Sequence, residues 1–144
     1  MYDLLIQRMR EEVTRLGAQE LRTPAEVDEV FQHTEGTVLV VVNSTCGCAA
    51  GGARPGLALA LHHNVLPDKL VMVFAGQDRE ATARAREYFG GQPPSSPSFV
   101  LLRDGTFVDM IHRHHIEGSS PEQIAGRLRS FFDQHCVMPR KDSQ

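Results

Sequence analysis

The residues of this sequence with the clearest chemical potential are two cysteines separated by one glycine, Cys46-Gly47-Cys48. They follow the apolar run 37–42 and precede a stretch of small residues that can begin a helix. At the start of a helix, unpaired N–H groups and the positive end of the helix dipole stabilise a thiolate. Because a thiolate is the species that attacks a disulfide sulfur, the pair predicts thiol–disulfide exchange with Cys46 as the nucleophile.

Two roles are open for Cys48, that of a resolving thiol and that of a bystander. A Cys-x-Cys disulfide closes a smaller ring than a Cys-x-x-Cys disulfide, so the oxidised pair is expected to be easily reduced. The hydroxyls of Ser44 and Thr45 either bond to the thiolate or cap the helix. Arg54 could stabilise an anion, but it lies beyond the first helical turn, and we expect its side chain to be solvated.

Composition indicates the kind of protein that carries these thiols. A chain of 144 residues, 41% of them hydrophobic, can form one domain with its own core. The net charge of −3 gives no electrostatic footprint for nucleic acid. We expect no membrane-spanning segment, and charged residues interrupt the N-terminus too early for a signal peptide. The expected location is the cytosol, where a close cysteine pair is more often catalytic than a structural staple.

Apolar periodicity, helix caps and turn signals predict one N-terminal helix followed by the order βαβαβαββα. The predicted strands are 19–21, 37–42, 70–75, 99–102 and 107–111, the last two joined by the hairpin turn Asp104-Gly105. Five helices are predicted. The first buries Leu5, Met9, Val13 and Leu16, and the second is capped by Thr23 with Pro24 and Glu26. The third runs from Cys48 to about His63 with a kink at Pro55, the fourth is capped by Asp78, and the fifth starts at Ser120 and Pro121.

This order predicts an α/β fold. Alternating strands and helices imply parallel pairing, and the closing hairpin adds an antiparallel part. The result is a mixed central sheet with helices on both faces and an extra N-terminal helix. A dithiol between a strand and a long helix, with the proline-rich turn 93–97 before the hairpin, is the layout of a thioredoxin-like fold. We expect residues 1–136 to form this single domain and residues 137–144 to be a flexible tail.

Five segments carry a family resemblance. They are Asn43 to Gly56 around the Cys-Gly-Cys motif, Pro93-Pro94-Ser95-Ser96-Pro97-Ser98, Leu102-Arg103-Asp104-Gly105, His112-Arg113-His114 and Ile116-Glu117-Gly118. In these residues the sequence resembles the bacilliredoxins, and the resemblance spans essentially the whole chain. One departure is His115, which stands where we expect an acidic residue.

The resemblance implies a thioredoxin-like, cytosolic thiol–disulfide oxidoreductase. Its expected reaction removes bacillithiol from proteins that carry it as a mixed disulfide, and isomerase activity is also attributed to the family. It implies no bound cofactor, with bacillithiol as a thiol co-substrate. The implied partners are bacillithiolated proteins, a low-molecular-weight thiol and a recycling reductase.

The same resemblance points to the residues of the site. Cys46 and Cys48 are the expected catalytic pair, and Thr45 and Gly47 are expected to contact substrate. A thioredoxin-like fold places a cis-proline against the dithiol, so the Ser96–Pro97 bond is predicted to be cis. Ser96 and Pro97 would then leave neighbouring backbone free to pair with an extended substrate.

Two other functions fit the cysteine pair. One is a general disulfide isomerase or reductase with no preference for bacillithiol. The other is a non-enzymatic metal-binding or redox-sensing module, completed by His62, His63 or the cluster 112–115. Structural zinc needs four ligands, commonly from two cysteine pairs, so we expect no metal site.

Cys136 is interpreted as the edge of a buried helix face, with a role as a backup thiol as the alternative.

Overall fold

Helices and strands alternate along residues 2–136, the part of the chain that the computed structural model describes. The strands are β1 (Gln19–Glu20), β2 (Thr37–Asn43), β3 (Lys69–Phe74), β4 (Ser98–Arg103) and β5 (Thr106–Ile111). The helices are α1 (Tyr2–Thr14), α2 (Pro24–His33), α3 (Arg54–Ala60), α4 (Arg79–Arg86), α5 (Arg113–Ile116) and α6 (Pro121–His135). The predicted tail, residues 137–144, lies outside the described residues, and the domain bounds 1–136 stay a prediction.

The five strands form one mixed sheet in the order β1-β3-β2-β4-β5. Strand β2 lies at its centre, parallel to β3 and antiparallel to β4. Every residue of β2 is buried, as its uninterrupted apolar run predicts. The register sets Val42 opposite Ser98, so the start of β4 lies beside the end of β2, where the cysteines follow.

Two hydrophobic cores fill the two sides of this sheet. Alternate residues of a strand point to opposite faces. Leu39 and Val41 therefore pack with α1, α3 and α6, whereas Val38 and Val40 pack with α2 and α4. The mixed sheet with helices on both faces and an extra N-terminal helix is confirmed, and it is a thioredoxin-like fold.

Helix α1 buries part of the face that its apolar residues predict, since Val13 is buried and Leu16 packs against the core. Leu5 is 49% exposed, whereas Ile6 and Arg10 are buried. The Arg10 guanidinium forms ion pairs of 2.6 Å with both Glu20 and Asp78. Because a buried cation needs such partners, these contacts keep Arg10 turned inward beside the apolar residues of the helix.

Asp78 precedes α4, as predicted, but its side chain does not cap that helix. Its carboxylate accepts two hydrogen bonds from Arg10 instead. The predicted capping role of Asp78 is therefore wrong, because the distant guanidinium takes both carboxylate oxygens. The predicted capping box of α2 is confirmed, since Thr23 and Glu26 bond reciprocally.

The chain that follows the cysteines is helical from Gly47 but irregular. Residues Ala49–Ala53 form a π-helical turn, in which the Arg54 N–H donates to the Ala49 carbonyl. Because Pro55 has no N–H to donate, it cannot continue the hydrogen bonds of this wider turn, which ends just before it. The helix α3 then ends at Ala60, three residues before the predicted end at His63.

The predicted hairpin turn is confirmed, with a φ of 53° at Asp104 and 80° at Gly105. Positive φ at both central residues is the requirement of the tight hairpin turn that Asp-Gly favours. The short helix α5 was not predicted, because its segment is rich in arginine and histidine and lacks an apolar period.

Helix α3 can approach α6 closely only because residue 56 is a glycine. A Cβ at Gly56 would lie 2.7 Å from Cγ2 of Ile124 and 3.2 Å from the Pro121 carbonyl oxygen. At Gly51, in the preceding turn, a Cβ would meet nothing within 4 Å. We expect Gly56→Ala to be less stable than Gly51→Ala by about 1–3 kcal/mol in urea unfolding, because only the first overpacks a helix contact. Equal stability of the two variants would contradict this close approach.

Candidate active site

The two cysteines lie where the central strand passes into a helix. Strand β2 ends at Asn43, and the helical conformation begins at Gly47. The Cys46 carbonyl accepts hydrogen bonds from the N–H groups of Ala49 and Ala50, so Cys46 stands at the helix start. Both cysteines are half-buried and unlinked, and their Sγ atoms lie 2.8 Å apart.

The surroundings of Cys46 favour its thiolate. Burial by itself would raise the pKa of Cys46. Hydrogen bonds from the Cys48 thiol, the Ser44 hydroxyl and the N–H groups of Ala49 and Cys48 outweigh burial and lower that pKa below its ordinary value. The Ser44 hydroxyl also accepts the Cys46 N–H at 3.3 Å, so it lies directly beside this cysteine.

Cys48 titrates in the opposite direction. Burial, its hydrogen bond to Cys46 and the charge on Cys46 all raise the pKa of Cys48, whereas the cation of Arg113 lowers it. Of the two thiols, Cys46 is therefore the one that ionises first, while Cys48 keeps its proton. The arrangement provides one activated nucleophile and one protonated thiol in contact with it.

Cys136 lies far from this pair, at the C-terminal end of α6. Its side chain packs against the core on the α6 side of the sheet, and burial raises the pKa of its thiol. The interpretation of Cys136 as the edge of a buried helix face is confirmed.

The residues expected to contact substrate flank the cysteines. Thr45 and Gly47 are exposed, and a Cβ at Gly47 would meet nothing within 4 Å. The Ser96–Pro97 bond is cis, as predicted. Because Val42 pairs with Ser98, residues 96 and 97 lie beside the loop that carries the cysteines.

Arg113 acts on both the cysteine pair and the segment before β4, and sequence reasoning missed it. Its guanidinium donates to the Ser96 carbonyl at 3.1 Å and to the Glu117 carboxylate at 2.8 Å. Its charge lowers the pKa of Cys48. Its position within one of the five resemblance segments was the available signal.

Arg54 is a correction to the sequence analysis. It was expected to be solvated, but it is only 4% exposed. Its Nε donates to Glu12 at 2.6 Å, and its Nη1 donates to the Asn43 side chain at 2.9 Å and to the Ser44 carbonyl at 2.8 Å. These contacts hold the loop before Cys46. A signal was present, since residue 54 lies one helical turn before the buried Leu57.

The histidines give no support to a metal centre. Within residues 2–136, no group of three or more His, Cys, Asp and Glu side chains is arranged to hold a metal ion. The rings of His112 and His114 stack with centroids 5.4 Å apart, and His63 bonds to Asp133.

Within residues 2–136, no helix combines the length and the apolarity that crossing a membrane requires.

The two shifted pKa values predict an order of reactivity. The thiolate fraction grows as pH rises through the pKa of a thiol, so alkylation of Cys46 should begin at lower pH than alkylation of Cys48 or Cys136. Iodoacetamide labelling at mildly acidic pH, read by peptide mass spectrometry, should therefore mark Cys46 first. Cys48→Ala should move the Cys46 profile to higher pH because it removes a donor, and Cys136→Ala should leave it in place. Preferential labelling of Cys48 would reverse the assigned roles.

Arg54 is predicted to act as a positioning residue. The variant Arg54→Lys keeps the positive charge, but a lysine cannot donate to Glu12, Asn43 and the Ser44 carbonyl at once. We therefore expect it to lose about 1–3 kcal/mol of unfolding free energy. It should also shift the Cys46 alkylation profile to higher pH, because Ser44 is no longer held. The control is Arg79→Lys, the same change at an exposed arginine that begins α4, which should change the unfolding free energy by less than about 0.5 kcal/mol and leave the profile in place. An unchanged profile in Arg54→Lys would limit Arg54 to a structural role.

Comparison with known proteins agrees with this geometry. A family model described as disulphide isomerase matches residues 2–136. A bacilliredoxin of Geobacillus kaustophilus is 54% identical over 136 residues, which are 94% of this chain and 93% of that protein. A bacilliredoxin of Staphylococcus aureus is 50% identical over 132 residues, covering 92% of this chain and 90% of that protein.

Solved structures agree on the fold. The thioredoxin of Fasciola hepatica has a TM-score of 0.56 at 23% identity, covering 81% of this chain and 98% of that one. A thioredoxin variant of Halobacterium salinarum has a TM-score of 0.57 at 17% identity, covering 85% of this chain and 93% of that one. The family match over nearly the whole chain and the bacilliredoxin relatives show that the chain belongs to the disulphide isomerase family, alongside the bacilliredoxins, and is a thiol–disulfide oxidoreductase.

Proposed function

We propose that this protein removes bacillithiol from cytoplasmic proteins that carry it as a mixed disulfide. The observation that carries the proposal is the thiol pair itself, with Sγ atoms 2.8 Å apart, a lowered pKa at Cys46 and a raised pKa at Cys48. The bacilliredoxin relatives support the choice of bacillithiol as the small thiol. Neither nucleic acid nor a membrane has a part in this reaction.

The first step is a disulfide exchange at Cys46. Its thiolate attacks the bacillithiol sulfur of the mixed disulfide, forming a bond between Cys46 Sγ and bacillithiol as the old disulfide breaks. The substrate protein leaves as a thiolate and takes a proton from water. No net oxidation occurs, because one disulfide replaces another.

The second step transfers the oxidation to the cysteine pair. The charge on Cys46, which raises the pKa of Cys48, disappears once Cys46 is in a disulfide, whereas the cation of Arg113 remains. Cys48 then loses its proton more readily and attacks Cys46 Sγ, releasing bacillithiol as a thiolate. A recycling dithiol reductase, or two equivalents of a low-molecular-weight thiol, returns the resulting disulfide to two thiols. The role of Cys48 thus follows from the change of charge on its neighbour.

Substrate proteins are proposed to dock on the exposed surface around the cysteines. Thr45 and Gly47 leave this surface open, since both are exposed. Beside the cysteine loop, the half-buried Ser96 offers its N–H to an extended segment of substrate, since Arg113 binds its carbonyl and Pro97 is buried. A protein with a modified cysteine in a loop fits such a shallow site.

A general disulfide isomerase is the second candidate, favoured by the description of the family model. An isomerase must exchange disulfides between two protein cysteines, so it needs no preference for a small thiol. The relative rates on bacillithiolated peptide and on a scrambled protein disulfide therefore separate the two functions.

Single cysteine variants test the proposed steps. With a bacillithiolated peptide, Cys46→Ala should lose at least about 10³-fold in rate, because the nucleophile is gone. Cys48→Ala should still release the peptide thiol and should accumulate one bacillithiol on Cys46, visible as an adduct in the intact mass. Cys136→Ala is the control and should match the wild type. An adduct on Cys48, or a wild type that prefers scrambled protein disulfides, would contradict the proposal.

A further inference from the structure

A cleft of about 630 Å³ opens beside the proline-rich segment that precedes β4. Its walls are residues 92–96, Arg86 at the end of α4, and residues 112–114 with Glu117. This volume is in the range that holds a small molecule. The function proposed above uses the edge of this cleft at Ser96 but not its interior.

Two arginines line the cleft, Arg86 and Arg113. Among the residues described, Glu117 is the only carboxylate that lines the cleft, and its Oε2 is bound by Arg113 at 2.8 Å. Arg86 has neither an ion pair nor a side-chain hydrogen bond within residues 2–136. It is half-buried, and burial lowers the pKa of its guanidinium. An unpaired, partly desolvated arginine in a cleft favours an anionic ligand.

The cleft is joined to the thiols by shared residues. Arg113 lines it, donates to the Ser96 carbonyl at 3.1 Å and exerts its charge on Cys48. Ser96 lines it as well, and it lies two residues before Ser98, the partner of Val42. Arg113 and Ser96 thus place the edge of the cleft beside the loop that carries the cysteines.

We propose that this cleft binds the carboxylate of the small thiol attached to Cys46, with Arg86 as its main cationic partner. The inference rests on the proposed function, because it assigns a site to the small thiol that Cys46 removes. A carboxylate accepts two parallel hydrogen bonds from a guanidinium, so Arg86 holds both the position and the charge of the ligand. The cleft thereby selects anionic thiols over neutral ones of similar size.

An acidic segment of the substrate protein is the competing ligand. The border of the cleft at Ser96 and Arg113 favours the small molecule attached to Cys46, whereas the exposed Thr45 and Gly47 leave open surface for a protein. The two sources are distinguished by placing the negative charge either on the thiol or on the peptide.

The test compares two mixed disulfides of one neutral peptide, carrying either mercaptosuccinate or 2-mercaptoethanol. The measured quantity is the ratio of kcat/KM for the anionic over the neutral substrate. Arg86→Gln should lower this ratio by about tenfold relative to wild type, the loss of one charge-assisted contact. The matched control is Arg79→Gln, the same change at an exposed arginine that begins α4, and it should leave the ratio unchanged. High salt should reduce the wild-type ratio.

Equal ratios in Arg86→Gln and Arg79→Gln would overturn the inference. It would also be overturned if Arg86→Gln acted only on peptides with acidic flanks, since the ligand would then be a protein segment. A bacillithiolated peptide in the same assay tests the proposed function separately. Poor wild-type turnover of that peptide counts against bacillithiol as substrate, while the mercaptosuccinate ratio still decides the role of the cleft.

Discussion

The buried guanidinium of Arg54 is the interaction on which the geometry of the site depends. It joins three elements that are distant in sequence: α1 through Glu12, the end of β2 through Asn43, and the loop before the cysteines through the Ser44 carbonyl. The Asn43 amide group in turn donates to the Met9 carbonyl of α1. A loop with its backbone held in this way can direct the Ser44 hydroxyl toward the Cys46 sulfur. The extra N-terminal helix is thus part of the support of the active site.

The spacing of the cysteines determines which of the two thiols reacts first. With one residue between them, the two sulfurs are in direct contact, so a charge on one determines the protonation of the other. Cys46 receives several hydrogen bonds and becomes the thiolate, and Cys48 keeps the proton because its neighbour is charged. Once Cys46 is consumed in a disulfide, the constraint on Cys48 is released. The same contact that activates the first thiol therefore delays the second until it is needed.

Much of the fold could be predicted from the sequence because its signals are local. The capping box of Thr23 and Glu26 and the turn at Asp104-Gly105 each depend on residues within a few positions. The cysteine pair is local too, and its place between a strand and a helix follows from the apolar run before it. The pairs of Arg10 with Asp78 and Arg54 with Glu12 span 68 and 42 positions, and no local pattern specifies them. Both arginines were accordingly missed as buried residues, although their partners set the orientation of α1 and of the loop.

The departure at His115 is consistent with a site built around cations. Its Nδ1 accepts the His112 N–H at 3.1 Å, the cap that an acidic residue at this position would also provide. Burial, together with the neighbouring His114, Arg127 and His112, lowers the pKa of His115, which keeps the ring neutral and able to accept. The histidine therefore preserves the start of α5 without adding a negative charge near Arg113. A carboxylate there would cap the helix equally well but would weaken the positive potential that Arg113 exerts on Cys48.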